Sequence, residues 1–281
     1  MIETETKSPQ HWVIGDLQGC LKSLDYLLDQ PALRDAAHTQ LLFAGDLINR
    51  GPDNIGVLER LHQLGERAQC VLGNHDIHFL SVAAGARRAN RFDTFQDILD
   101  SPKSDFWIDW LRHQPLLIEA AEHLIVHAGI APEWRLADLR QIARDIEAVL
   151  QSDHWKERIL DLFGNEPAIW SPNLQGDDRL RYGINVLTRI RYMHRDGALD
   201  FAAKNAPDQA PEHLQPWFKL PRKILKPIVF GHWSTLGLLN EYGVYALDTG
   251  ALWGGHLTAM RLQDHQIVQV PAQEKQSLEP F

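Results

Sequence analysis

The chain has 281 residues, 44% of them hydrophobic, and a formal net charge of −9 at pH 7. This composition allows a sizeable core, and the acidic balance argues against nonspecific binding to nucleic acid or an anionic membrane. No apolar stretch is long enough to span a membrane, and the polar N-terminus does not resemble a secretory signal, so we expect a cytoplasmic protein. Cys20 and Cys70 are expected to be buried thiols that form no disulfide.

Strand-like and helix-like patterns alternate in the first half of the chain. The predicted strands are 11–15, 40–44, 69–72, 116–119 and 123–127, and the predicted helices are 21–30, 54–65, 76–85 and 93–112. Strands return in the last part of the chain at 227–230, 243–247, 256–262 and 266–270. The sequence therefore predicts a layered α/β fold around mixed sheets.

Residues 136–221 lose this alternation of strands and helices. The segment begins with a helical pattern, LADLRQIARDIEAVLQ, and then becomes rich in Pro, Asn and Trp. We interpret it as a mainly helical cap inserted into a core formed by residues 11–135 and 222–271. Residues 1–281 would then form a single domain.

Five short motifs each follow a strand-like apolar run. They are HWVIGDLQG (11–19), LLFAGDLINRG (41–51), CVLGNHD (70–76), LIVHAG (124–129) and PIVFGHW (227–233). Each combines glycine with a possible metal ligand: Asp16, Asp46, Asn74, His127 and His232. Buried parallel strands deliver the residues that follow them to one edge of a sheet, where α/β enzymes place their chemistry. Carboxylate, amide and imidazole groups together suit two divalent cations, and one Asp can bridge them.

The five motifs, in this order, resemble those of the calcineurin-like metallophosphoesterases. The resemblance implies two mixed β-sheets sandwiched by helices and two divalent metal ions. It assigns one metal to Asp16, Gln18 and Asp46, and the other to Asp46, Asn74, His127 and His232. The oxygen ligands favour Mn²⁺, with Co²⁺, Fe²⁺ and Ni²⁺ as alternatives. The resemblance also implies that a hydroxide activated by both metals attacks phosphorus, that His75 is the general acid and that Arg50 binds phosphate.

Further segments narrow the resemblance to one branch of this family, whose members split bis(5'-nucleosyl) tetraphosphates symmetrically. These segments include WLRHQPLL, WSPNLQG, NVLTRIRY, FGHWS and YALDTGALWGG. The expected activity is hydrolysis of diadenosine tetraphosphate to two ADP, and RNA carrying a nucleoside-tetraphosphate cap is a further candidate substrate. A protein Ser/Thr phosphatase with the same metal site is the main alternative. A metal-binding regulatory protein without activity is the third, although the retained ligands argue against it.

Two residues depart from the pattern of the wider family. Gln18 stands where the family has His, and its neutral amide would hold the first metal less tightly. Asn49 stands where the family has the Asp that orients the general acid. An amide can orient His75 but does not stabilise imidazolium as a carboxylate does. A weaker general acid at His75 is tolerable when ADP is the leaving group. The last pKa of a phosphate monoester is about 6, so ADP can leave with little protonation. The change thus favours an anhydride substrate over a phosphoprotein.

Other side chains have more than one interpretation. Arg189 and Arg191 are candidates for a second phosphate clamp. Their spacing would place them together on a strand but on opposite faces of a helix, and a solvated basic surface is an equal alternative. Trp233, next to His232, is the candidate for stacking on adenine, with burial as the alternative. Asp76 is expected to accept backbone hydrogen bonds at a helix start.

Overall fold

The computed structural model describes residues 9–34 and 39–274. The polar start of the chain, residues 1–8, which does not resemble a signal, lies outside the described residues. The helices are α1 (Leu21–Leu28), α2 (Asn54–Leu64), α3 (Asn74–Ala83), α4 (Gln96–Leu99), α5 (Ser104–Arg112), α6 (Leu136–Gln151), α7 (Trp155–Arg158) and α8 (Gly176–Arg189). The strands are β1 (Gln10–Ile14), β2 (Thr39–Phe43), β3 (Ala68–Cys70), β4 (Ile118–Ala120), β5 (His123–Ile125), β6 (Tyr192–His194), β7 (Leu199–Asp200), β8 (Leu214–Pro216), β9 (Ile228–Phe230), β10 (Leu239–Glu241), β11 (Val244–Ala246), β12 (His256–Arg261) and β13 (Ile267–Pro271).

Two five-stranded mixed sheets form the centre of the fold. The first has the order β13-β12-β1-β2-β3, and the second has the order β10-β11-β9-β5-β4. In the first sheet β1, β2 and β3 run parallel, while β12 pairs antiparallel with β1. In the second sheet β5, β9 and β11 run parallel. Each sheet therefore contains three parallel strands whose carboxyl ends share one edge.

The two sheets pack face to face. Since successive side chains of a strand point to opposite faces, Val13 and Leu42 of the first sheet meet Ile125 and Val229 of the second in one buried cluster. The alternate residue Trp12 belongs to the other core cluster. Trp12 points to the outer face of the first sheet, which helix α1 covers. Helix α1 contacts β12, β13 and α2. The expected sandwich of two mixed sheets between helices is confirmed.

The predicted elements agree with the observed ones except where strands are very short or a proline intervenes. The helical pattern predicted over 93–112 forms two helices, α4 and α5, because Pro102 lies between them and disfavours helical backbone in the preceding residue. Sequence analysis did not identify β10 or the three-stranded sheet β7-β6-β8, whose strands have only two or three residues each.

The segment 136–221 contains α6, α7, α8 and the three-stranded sheet. Helices α6 and α8 contact each other, and the N–H of Ala128, after β5, donates to the carbonyl of Leu187 in α8 at 2.8 Å. This bond fixes the end of α8 against the edge of the second sheet. The division of the chain into core and cap stays a prediction.

Both cysteines are free and buried, as expected. Within residues 9–34 and 39–274, every helix is too short or too polar to cross a lipid bilayer.

Candidate active site

The predicted ligands follow the parallel strands at similar spacings. Asp16, His127 and His232 each lie two residues beyond the end of a strand, namely β1, β5 and β9. Asp46 lies three residues beyond β2, and Asn74 begins α3 after β3. The two sheets thus bring all five side chains to one edge of the sandwich, where the sequence analysis expected them.

The turns at this edge need glycine and unusual backbone angles. A Cβ atom at Gly231 would collide with the carboxylate of Asp16, and one at Gly73 would collide with that of Asp46. Five nearby residues other than glycine have a positive φ: Gln18, Asp46, Asn49, Arg50 and His232. Such angles cost about 1–3 kcal/mol each and cluster at functional sites. These strained turns therefore lower the stability of the fold, and in return they place the side chains of the site.

Asp46, His127 and His232 form a buried cluster with metal-binding geometry. Each offers a ligand atom, and these atoms lie within 4.8 Å of one another. One atom of the Asn74 side-chain amide lies 3.2 Å from His127 Nε2 and 2.8 Å from His232 Nδ1. The carboxylate of Asp16 accepts a hydrogen bond from the backbone N–H of His232 at 3.0 Å. The backbone N–H of Gln18 donates to the carbonyl of Asp46 at 2.7 Å.

Hydrogen bonds to backbone carbonyls fix which imidazole nitrogen faces the cluster. His127 Nδ1 donates to the carbonyl of Ala44 at 2.8 Å, so its Nε2 is left as an electron-pair donor. His232 Nε2 donates to the carbonyl of Arg189 at 3.1 Å, which leaves its Nδ1. Outer hydrogen bonds of this kind orient metal-binding histidines in known metal sites.

The electrostatics of the cluster favour divalent cations. Burial raises the pKa of Asp16, and the neighbouring carboxylates of Asp248 and Asp46 raise it further. Burial and the charge of Asp76 likewise raise the pKa of Asp46. Burial lowers the pKa of His127 to about 3, so its ring is neutral at pH 7. Crowded carboxylates beside neutral imidazoles are relieved by a bound cation, and this donor set fits divalent metal ions.

Asp248 is a member of this site that sequence analysis did not assign. It lies two residues beyond β11, the same spacing as Asp16 after β1, and it is 6% exposed. Burial raises its pKa to about 6, while the charge of Arg191 acts in the opposite direction. The signal is present in YALDTG, which repeats the pattern of a strand, then one residue, then a carboxylate. The sequence analysis did not assign Asp248 because YALDTG is not one of the five motifs that resemble those of the family.

A chain of polar side chains leads from His75 into the loop before α4. Asn49 Nδ2 lies 3.1 Å from His75 Nδ1 and donates to Asp93 Oδ1 at 3.0 Å. The Asn49 Oδ1 accepts from the backbone N–H groups of Arg50 and Thr94. This arrangement fixes the amide with its NH₂ group toward His75. His75 Nδ1 is therefore an acceptor, and its proton lies on Nε2.

Three arginines lie at the site. Arg50 Nη1 is buried and has no hydrogen-bond partner in the described part of the chain. Arg189 is the last residue of α8, and its carbonyl holds His232. The side chain of Arg191 donates to the carbonyl of His232 at 3.0 Å. Because α8 ends between the last two arginines, both reach the site region, and the geometry of a continuous helix does not apply.

The position of Trp233 does not fit the predicted contact with substrate. The residue is 1% exposed and packs against Tyr192 and Phe218. Its indole N–H donates to Thr235 Oγ1 at 3.0 Å and also lies 3.2 Å from the carbonyl of Asn205. A base cannot stack on a ring that is covered in this way. Burial, the alternative interpretation, describes Trp233.

Asp76 accepts backbone hydrogen bonds, as expected, and joins two motifs. Its carboxylate accepts from Gly73 at 2.8 Å, from Leu47 at 3.0 Å and from Ile48 at 3.3 Å, and it is fully buried. The first of these N–H groups precedes α3, and the other two follow Asp46. The carboxylate therefore holds the second motif against the third.

Replacement of Asp76 should destabilise the protein. We expect Asp76→Ala to lower the free energy of unfolding by about 3 kcal/mol, since each orphaned buried donor costs about 1–3 kcal/mol. Urea unfolding of the metal-free protein, monitored by tryptophan fluorescence, measures this change. Asp53→Ala is the control, because it removes a single hydrogen bond to Gly56 at the start of α2, and should cost about 1 kcal/mol. Equal losses for the two variants would contradict the bridging role of Asp76.

The family model described as calcineurin-like phosphoesterase matches residues 11–246. The chain belongs to the calcineurin-like phosphoesterase family, which confirms the resemblance carried by the five motifs. It is 46% identical to a protein of Janthinobacterium sp. (strain Marseille) over 267 residues, or 94% of this chain and 97% of the relative. It is 48% identical to a protein of Ralstonia nicotianae over 281 residues, or 97% of both chains. Both relatives are named bis(5'-nucleosyl)-tetraphosphatase, symmetrical.

Solved structures give the same fold. The crystal structure of a putative diadenosine tetraphosphatase matches with a TM-score of 0.62 and 22% identity over 95% of each chain. A cold-active protein tyrosine phosphatase matches with a TM-score of 0.52 and 16% identity, over 95% of this chain and 79% of the other. At these identities the likeness concerns the fold alone.

Proposed function

We propose that this protein is a metal-dependent hydrolase that cleaves diadenosine tetraphosphate symmetrically to two ADP. The observation that carries the proposal is the buried Asp46, His127 and His232 cluster at the shared edge of the two sheets. The relatives named symmetrical bis(5'-nucleosyl)-tetraphosphatase support the choice of substrate, since they match nearly the whole chain at 46% and 48% identity. Two buried free thiols also fit the reducing cytoplasm as the place of action.

The ligands can be divided between two divalent ions. Asp16, Gln18 and Asp46 would hold one ion, and Asp46, Asn74, His127 and His232 would hold the other. Bound there, the ions supply a nucleophile at neutral pH and neutralise charge on the phosphate oxygens. We propose Mn²⁺, because the three side chains that would hold the first ion, Asp16, Gln18 and Asp46, all offer oxygen atoms.

Arginine side chains would hold the phosphate chain beside this cluster. The buried Nη1 of Arg50 lacks an acceptor among the described residues, and a phosphate oxygen would supply one. A guanidinium also forms paired hydrogen bonds with two phosphate oxygens. Arg191, whose charge interacts with Asp16, Asp46 and Asp248, would add positive charge beside these carboxylates.

His75 would act as a neutral hydrogen-bond donor. Burial lowers its pKa to about 3, and the charge of Arg50 lowers it further. With Nδ1 accepting from Asn49, the Nε2 proton is available to the substrate. A neutral imidazole is a poor acid, so it suits a leaving group that needs little protonation. An ADP phosphate is such a group, and a serine alkoxide is not.

Product analysis tests the proposal. We expect purified protein with Mn²⁺ to convert diadenosine tetraphosphate to ADP as the sole nucleotide product, measured by ion-exchange chromatography. A phosphoserine peptide offered in parallel should be hydrolysed far more slowly, since it needs the stronger acid. AMP plus ATP would contradict symmetric cleavage, and preferential release of phosphate from the peptide would support the protein phosphatase alternative.

A further inference from the structure

A pocket of about 450 Å³ lies next to the candidate metal site, between α3, α8 and the turn at residues 162–165. It is lined by Asn74, whose side-chain amide lies beside His127 and His232, and by Arg189, whose carbonyl accepts a hydrogen bond from His232. Its volume is within the range of small-molecule sites. None of the five motifs predicts this pocket, because its far wall comes from residues 162–165.

Two arginines give the pocket a positive charge, and none of the described residues that line it is acidic. Arg189 donates to the side-chain oxygens of Asn185 at 2.6 Å and Asn165 at 3.0 Å, which are neutral amides. Arg87 lies close enough for its charge, together with burial, to lower the pKa of Arg189. Within the described ranges, neither arginine has an ion pair with a carboxylate. Two guanidinium groups held together in this way favour a bound anion.

The same pocket has an aromatic and apolar wall. The Arg87 guanidinium lies 4.7 Å from the ring centroid of Phe163. The half-buried ring of Phe163 lines the pocket together with Leu162, Ile77 and Ile184. Every nucleobase has a π-face that can stack on an aromatic side chain, and an arginine can add to the stack. An aromatic surface beside paired cations suits a nucleotide better than a bare phosphate.

We propose that this pocket is the subsite for one nucleoside diphosphate half of the substrate. The base stacks on Phe163, and the phosphates of that half lie between Arg87 and Arg189 on the way to the metal cluster. The assignment rests on the proposed function, since it is the dinucleotide that supplies a base on either side of the cleaved bond. It places base recognition on the turn at residues 162–165 and phosphate recognition on Arg87 and on Arg189 of α8.

Steady-state kinetics with diadenosine tetraphosphate tests the role of Phe163. Phe163→Leu keeps apolar volume but removes the ring, so KM should rise about tenfold, within the range for stacking on an aromatic side chain, with little change in kcat. Phe163→Tyr should keep the parent KM. Inorganic pyrophosphate, a phosphate-only probe, should inhibit the parent and Phe163→Leu with the same inhibition constant.

Two matched variants, Arg87→Gln and Arg88→Gln, test the proposed contact between Arg87 and the phosphates. Arg87→Gln should raise both the KM and the pyrophosphate inhibition constant at least about tenfold, on the scale of one charge-assisted hydrogen bond. Arg88→Gln, which removes the same charge from the neighbouring exposed residue outside the pocket, should change neither constant. Equal effects of Arg87→Gln and Arg88→Gln would overturn a specific phosphate contact.

Failure of the pocket assignment differs from failure of the proposed function. If the parent releases ADP and Phe163→Leu keeps the parent KM, the pocket assignment is wrong and the function stands. An equal change in the KM and in the pyrophosphate inhibition constant of Phe163→Leu would also overturn base stacking. If the parent releases no ADP, the proposed function fails. In that case, calorimetric titration of the Mn²⁺-loaded protein with ADP tests the pocket assignment independently of the activity. About tenfold weaker ADP binding by Phe163→Leu supports the assignment, and unchanged ADP binding overturns it.

Discussion

Asp46→Asn should lower the turnover of diadenosine tetraphosphate by more than about a hundredfold at saturating Mn²⁺. Loss of an outer-shell partner alone costs about ten- to a hundredfold in metal affinity or activity, and Asp46 is the residue proposed to contact both ions. The amide removes the negative charge that the two cations share. Initial rates of ADP formation across a Mn²⁺ titration measure the effect. Near-normal turnover by the variant would contradict the bridging assignment.

Thermal unfolding separates this loss from misfolding. Burial and Asp76 raise the pKa of Asp46 in the folded protein, so ionisation of this carboxyl disfavours folding when no metal is bound. Its cost is absent below the pKa of the unfolded chain and grows as the pH rises through the raised folded value. Metal-free Asp46→Asn should therefore be at least as stable as the metal-free parent at pH 7. The stabilisation that Mn²⁺ gives the parent should be largely lost in the variant.

A charge exchange between Asn49 and Asp93 should change which leaving groups the enzyme accepts. In Asn49→Asp/Asp93→Asn a carboxylate faces His75 Nδ1, where it favours the protonated ring and raises the pKa of His75 from about 3. The protonated ring is a true general acid, and such catalysis is worth about 10²–10⁴-fold. We expect a gain of at least about tenfold on an alkyl phosphate at acid pH, and less than about threefold on the tetraphosphate, because ADP needs little protonation.

The pH profile and the single variants test the mechanism of that exchange. Activity of the double variant on the alkyl phosphate should be highest below the raised His75 pKa and should fall as the pH passes through it. Asn49→Asp alone should also raise the pKa of His75, but it should lower the stability of the protein, because its new carboxylate lies against the carboxylate of Asp93. Adding His75→Ala should remove the difference between the parent and the exchanged pair. A gain that survives His75→Ala would show that Asn49 and His75 do not act together.

The sequence predicted the metal-binding edge because the local pattern and the sheet geometry agree there. Asp16, His127 and His232 follow parallel strands at constant spacing, and parallel strands align their carboxyl ends. The motifs therefore contain nearly all the information needed to place these side chains together. What the motifs do not give is how the two sheets pack against each other, and therefore how far apart the side chains of the two sheets lie. This packing also brings Asp248 to the same edge.

Other features of the site depend on contacts that no local pattern records. Trp233 directly follows the proposed ligand His232, yet packing against Tyr192 and Phe218 decides that it is buried. Arg189 and Arg191 both reach the site because α8 ends between them, a boundary that spacing alone does not give. The pocket beside Arg189 requires Phe163, which lies 26 residues earlier in the chain, outside every motif. Such sites are assembled by tertiary packing.

The order of the strands also sets when the metal site can form during synthesis. β9 lies between β5 and β11 in the second sheet, and β12 pairs with β1 in the first. The backbone N–H of His232 in turn holds the carboxylate of Asp16. A nascent chain emerging N-terminal end first therefore has its earliest ligands exposed to solvent long before their partners exist. On the proposed ligand assignment, the site is complete only once His232, which follows β9, has been synthesised, so a chain interrupted before β9 lacks one of the proposed ligands.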